Sequence, residues 1–139
     1  MLGKAIKIAV SAHDGQTDKG GNPYILHPLW VMNKVRHLGE DYMIAAVLHD
    51  VVEDSNWTIE ELEDAGFKFE ILEAIRLLTH RHKVNYDAYI AFIKRNEIAK
   101  QVKLRDLEHN SKITRLKGLR PKDLERLEKY HKAYTFLKQ

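Results

Sequence analysis

The chain has 139 residues, of which 44% are hydrophobic and 31% charged, with a formal net charge of +3 and no cysteine. These values fit one ordinary globular domain spanning residues 1–139, with a core that needs no staples, and they exclude disulfides and thiolate metal sites. No apolar run nears the ~20 residues of a membrane span, and the opening MLGKAIKIAVSAHDGQ is too short and polar for a secretory signal. The expectation is therefore a soluble, cytoplasmic chain with a small anionic partner rather than nucleic acid or membrane.

Periodicity predicts an all-α fold. Ile6, Ala9, Val10 and His13 follow helical spacing over about Leu2–His13. An irregular segment follows, Asp14 to Tyr24, rich in Gly, Asn and Asp. Pro28 suits the first turn of a second helix that reaches about His37 and stops near Gly39. From Asp41 to about Glu53 the pattern is apolar on every side, as in a helix buried all round. Thr58 and Glu61 have capping-box spacing, and Gly66 offers a stop. Between them Glu60, Glu61, Glu63 and Asp64 read as a solvated, dipole-favoured turn. Further helices are predicted over about Phe69–Thr79, Tyr86–Lys94 and Ile98–Leu116. A last one, about 121–138, carries Leu124, Leu127, Tyr130 or His131, Tyr134 and Leu137 as a packing stripe.

Several polar residues stand where apolar ones belong. The buried helix ends in His49-Asp50-Val51-Val52-Glu53-Asp54, and burying a charge is costly unless it is paired or bound to metal. Taken alone, this run reads equally well as the cap of a helix reaching the surface. On the helix from Ile98, Asp106 and Asn110 interrupt the stripe Ala99, Val102, Ile113. His27 precedes Pro28 and alone would be an ordinary structural histidine. Together, His27, His49, Asp50 and Asp106 offer two imidazoles and two carboxylates, a mixed N/O set suited to Mn, Fe or Zn. Without thiolates, a harder ion such as Mn is favoured. Glu53 is placed one helical turn from His49 as a general base or acid, with Asp54 beside it to orient water or support the ligands.

At this point the motifs resemble a known family. His27, His49-Asp50 and Asp106 match the H…HD…D signature of the HD superfamily of metal-dependent phosphohydrolases. Ala12-His13-x-Gly-Gln16, Pro23-Tyr-Ile-Leu-His27-Pro28, His49-Asp50-Val-Val-Glu53-Asp54 and Lys103-Leu-Arg-Asp106-Leu-Glu-His109-Asn110 are similar to the hydrolase domain of the RelA/SpoT homologue family. The resemblance spans about residues 5–116. With no synthetase region, the chain looks like a stand-alone small alarmone hydrolase. The resemblance implies an all-α, Mn-binding enzyme that removes the 3′-pyrophosphate of (p)ppGpp. It implies catalytic roles for Glu53 and Asp54, a sugar contact for Asn110 and a nucleotide contact for Lys19. Fe, Co or Zn are alternative ions.

Two positions depart from the family. Asp18 stands where an arginine packs on the guanine base, exchanging a stackable guanidinium for a short anion. Ile113 stands where the family has threonine, with Thr114 adjacent. The departures suggest an altered base preference, another nucleotide or a different solution to recognition. The competing functions are therefore an HD phosphohydrolase of another nucleotide, such as an adenine analogue or phosphorylated dinucleotide, and a non-catalytic nucleotide sensor. Lys103, Arg105, Lys112, Arg115 and Lys117 could reach phosphates, though long basic side chains mostly cover helices from solvent. His80 and His82 read as a cationic helix stop, and His13 and His109 as residues that hold the fold or support the ligands.

Overall fold

The computed structural model describes residues 1–139 and contains no β-strand. The helices are α1 (Leu2–Ala12), α2 (Leu26–Lys34), α3 (Glu40–Leu48), α4 (Val51–Asp54), α5 (Ile59–Asp64), α6 (Phe69–Leu78), α7 (Tyr86–Lys94), α8 (Glu97–Asn110) and α9 (Pro121–Lys138). Short 3₁₀ turns at Arg36–Leu38 and Ile113–Arg115 follow α2 and α8. None of the helices is long and apolar enough to cross a membrane.

Two helices occupy the middle. α3 packs against α1, α2, α6 and α8; α8 packs against α2, α3, α6, α7 and α9. Its ring of neighbours is why α3 is apolar on every side, with Ile44, Ala45, Ala46, Val47 and Leu48 all buried. Truncating Leu48 to alanine there would cost about 2–5 kcal/mol. α8 is more polar yet buries Ala99, Val102, Leu104 and Leu107 alongside Asp106 and His109. The ligand-bearing end of α3 and the middle of α8 therefore meet inside the bundle rather than at its surface.

Local chemistry sets the boundaries. Thr58 and Glu61 form the reciprocal capping box on α5: the Glu61 amide donates to Thr58 Oγ1 at 3.1 Å and the Thr58 amide to Glu61 Oε1 at 3.2 Å. Gly66 ends that helix with φ of +100°, a left-handed conformation that costs glycine nothing sterically. Asn85 and Asn96 cap α7 and α8 through the amides of Ala88 and Ala99.

Two expected boundaries and one packing stripe differ. The helix predicted over 41–53 breaks at His49-Asp50, where His49 Nδ1 donates to the Ala46 carbonyl at 2.5 Å and competes for that acceptor. The helix predicted to Leu116 stops at Asn110, so Asn110 and Ile113 are exposed rather than core. In α9, Ala133 and Leu137 are buried and Tyr134 is half-buried, but Leu124 is exposed.

Candidate metal centre and its cleft

His27 lies in the first turn of α2, His49 and Asp50 in the turn between α3 and α4, and Asp106 in α8. One ligand atom from each lies within 4.8 Å of all the others. His27 Nε2 is 2.8 Å from Asp106 Oδ1, and His49 Nε2 is 3.0 Å from Asp50 Oδ2 and 3.3 Å from Asp106 Oδ1. The break at His49-Asp50 positions this set, because it turns two consecutive side chains into the same space.

The surrounding groups orient each donor. His49 Nδ1–H is committed to the Ala46 carbonyl, which leaves Nε2 as the atom that faces the carboxylates. His27 Nδ1 meets His109 Nδ1 edge to edge at 2.7 Å, and the His109 ring is stacked on Trp30. Burial and the nearby Arg115 cation push His109 down to about 3, so it is neutral and can accept from His27 Nδ1–H. That again frees a ligand Nε2. Asp50 also accepts from the Tyr24 hydroxyl at 2.6 Å, and burial and the Asp50 charge push that phenol up. Asp106 accepts from Lys103 Nζ at 2.8 Å and Asn110 Nδ2 at 3.1 Å.

The electrostatics are those of a site organised around positive charge. Burial disfavours every ion here. Even so, the Lys103 ammonium and the two histidines hold Asp106 well below the usual carboxylate range, and the two carboxylates hold His49 well above the usual imidazole range. Lys103, with only 13% of its side chain exposed, is thus a buried counter-ion rather than a solvated cover, as its position on the helix had suggested. Two carboxylates and two correctly oriented imidazole nitrogens, converging in a buried space, fit a divalent cation with N/O preference.

Glu53 and Asp54 stand at the rim, on α4. Glu53 Oε1 accepts from the His80 amide at 2.7 Å, and Glu53 borders a hollow formed by Thr79, His80, Arg81 and His82. The Asp54 carboxyl is raised to about 6, by partial desolvation and by the carboxylates of Asp50 and Glu53. His80 bonds the Val84 carbonyl and stacks on Tyr89. His13 bonds Gln16, which in turn donates to the Asp54 carbonyl and ties α1 to α4.

On the other side lies a cleft of about 310 Å³. Lys19 and Asn110, expected to touch a substrate, both line it, as do Tyr24 and Lys112. Partial burial and the Arg126 charge lower the Lys19 pKa. Arg126, Leu127 and Tyr130 from α9 complete the wall. The sequence reading assigned Leu127 and Tyr130 to packing and gave Arg126 no role. Their spacing is that of any amphipathic helix, and no sequence signal separates a cleft wall from a core face.

The chain is similar to known proteins in sequence and in fold. A family model described as HD domain matches residues 5–109. A guanosine-3′,5′-bis(diphosphate) 3′-pyrophosphohydrolase of Haemophilus influenzae is 32% identical over 135 residues, covering 88% of this chain and 20% of the relative. The bifunctional (p)ppGpp synthase/hydrolase SpoT of Escherichia coli is 31% identical over 138 residues, covering 91% and 19%. The chain thus spans about a fifth of the length of these curated relatives. A solved structure described as a metazoan ortholog of SpoT that hydrolyzes ppGpp superposes with a TM-score of 0.78 at 21% identity, over 98% of this chain and 84% of that one, which shows a shared fold.

Proposed function

Because the chain belongs to the HD domain family, we propose that it is a divalent-metal-dependent hydrolase that removes the 3′-pyrophosphate of (p)ppGpp or a related alarmone. The observation that carries this is the buried convergence of His27, His49, Asp50 and Asp106 beside a basic cleft large enough for a nucleotide. The relatives' names support the substrate, and the donor set supports Mn, with Fe, Co or Zn as alternatives.

These four residues would hold the ion, which when bound supplies Lewis-acid stabilisation of phosphoryl charge. The remaining work falls to the chain's own side chains. Lys19 and Lys112 neutralise the phosphates of a nucleotide lying in the cleft. Glu53 and Asp54, at the rim, handle the proton of the attacking water. Water adds to phosphorus, the bond from phosphorus to the 3′ oxygen breaks, and that oxygen regains a proton as pyrophosphate leaves. Asn110 bridges the Asp106 carboxylate and the cleft, so the nucleotide is fixed relative to the metal site.

A panel of nucleotides incubated with the Mn-loaded chain tests this, scoring pyrophosphate against orthophosphate. We expect pyrophosphate from ppGpp. Orthophosphate from all substrates, or turnover only of nucleotides without a 3′-diphosphate, would refute the assignment. The departure from the family pattern at Asp18 raises one alternative, a different base, and the same panel reads it directly.

A further inference from the structure

Asp18, the departure at the mouth of the cleft, is fully engaged. Its Oδ1 accepts from the amides of Gly20 and Asn22, each at 2.9 Å, and closes the 18–22 loop on itself. Its Oδ2 accepts from Arg115 Nη2 at 3.2 Å. Burial pushes the Asp18 carboxyl up, but these amides and the guanidinium outweigh it and hold the pKa below its ordinary value. Arg115 Nη1 donates to the His109 carbonyl at 3.0 Å and Asn110 Oδ1 at 3.2 Å. The guanidinium is therefore clamped between the loop and the end of α8, with only 20% of the side chain exposed, and it lines the cleft.

The backbone is built for this approach. A Cβ on Gly20 would lie 2.1 Å from the Arg115 carbonyl oxygen, so only glycine lets the loop close onto the 113–115 turn. Of the five N–H bonds of Arg115, three are spent on the protein; Nε–H and one Nη2–H have no protein acceptor. The cleft's two carboxylates, Asp18 and Asp123, are each paired with an arginine, and its apolar lining includes Ile113, Leu116 and Leu127. Such a cleft suits a flat ring with an anionic tail, and what its locked guanidinium offers that ring is a planar face and donors alone.

We infer that Arg115, oriented by Asp18, is the base-reading residue of this site, and that it selects a purine with an acceptor edge, guanine over adenine. A fork of donors matches the adjacent N7 and O6 acceptors of guanine, whereas adenine presents an amine beside N7. Asp18 is a positioning residue. It does not exclude guanine; it anchors a cation supplied from the 113–115 turn instead of from the loop.

This rests on the nucleotide reading above, and GDP and ADP as probes separate the two. They share ribose and diphosphate, so their difference reports the base alone. Calorimetric titration of the full chain should give GDP about tenfold tighter than ADP. Arg115→Lys keeps the charge but loses the plane and the fork. It should weaken GDP about tenfold and ADP less than twofold, in a variant whose circular dichroism shows the chain still folded. Asp18→Asn, the milder variant, should move GDP the same way by a smaller factor. Equal affinity of the wild type for GDP and ADP, or equal loss of both on Arg115→Lys or Asp18→Asn, would overturn the inference. A chain that binds GDP through Arg115 yet releases no pyrophosphate from ppGpp would refute the hydrolase and leave this inference standing.

Discussion

Among single residues, the most informative are the polar groups that meet inside the bundle. His27, His49, Asp50 and Asp106 are charged or polar groups in a buried space, and each is oriented by a neighbour with no other evident use. His109 is the clearest of these neighbours: its ring stacks on Trp30, and its edge-on hydrogen bond fixes which His27 nitrogen faces the carboxylates. His109→Ala should lower Mn affinity by about 10–100-fold, read by titration of the stripped protein, because supporting residues commonly carry that share. Glu53 carries a separable task. Glu53→Gln should slow turnover by at least about 100-fold while nucleotide affinity changes less than about twofold, a split measured by single-turnover kinetics beside equilibrium binding. An equal loss of both would make Glu53 a substrate-binding group.

At the scale of elements, the junctions between helices make the site. The His49-Asp50 break, the 18–22 loop and the 113–115 turn position most of the groups discussed. Gly20→Ala should lift the loop off the turn, costing about 1–3 kcal/mol by thermal unfolding and weakening GDP binding, since the clash is with backbone that cannot step aside. The sequence showed the helices well because the core demands their periodicity, and it showed the ligands because buried polar residues violate that periodicity. Asp106 stood out in the stripe Ala99, Val102 for that reason. The break at His49-Asp50 was not legible, since an apolar-all-round pattern has no phase from which a turn could be read. Nor was the Asp18–Arg115 pair, whose members lie 97 positions apart and meet only through the fold. Lys103 looked like a solvated cover because the Tyr89 ring that covers it comes from α7, although its ion-pair partner Asp106 lies one turn along its own helix.

For the whole molecule, one apolar core of 29 buried residues carries α3 and α8 through its centre, and the candidate metal centre sits where they meet. Binding there links α2, α3 and α8. An ion that binds the folded chain alone should therefore raise stability by about 2.7 kcal/mol at a hundredfold excess over its dissociation constant, seen as a rise in melting temperature on adding Mn. No rise with an ion demonstrably bound would mean that the ion binds the unfolded chain as well and does not depend on a site built by the fold. The four ligands and the cleft wall come from one chain. The most direct test of the central claim is pyrophosphate release from ppGpp by the chelator-stripped chain as Mn is added back. The predicted result is no release without the ion and recovery that saturates at about one equivalent, as a single four-ligand site requires. Release that survives stripping, or none with the ion bound and the chain folded, would contradict it.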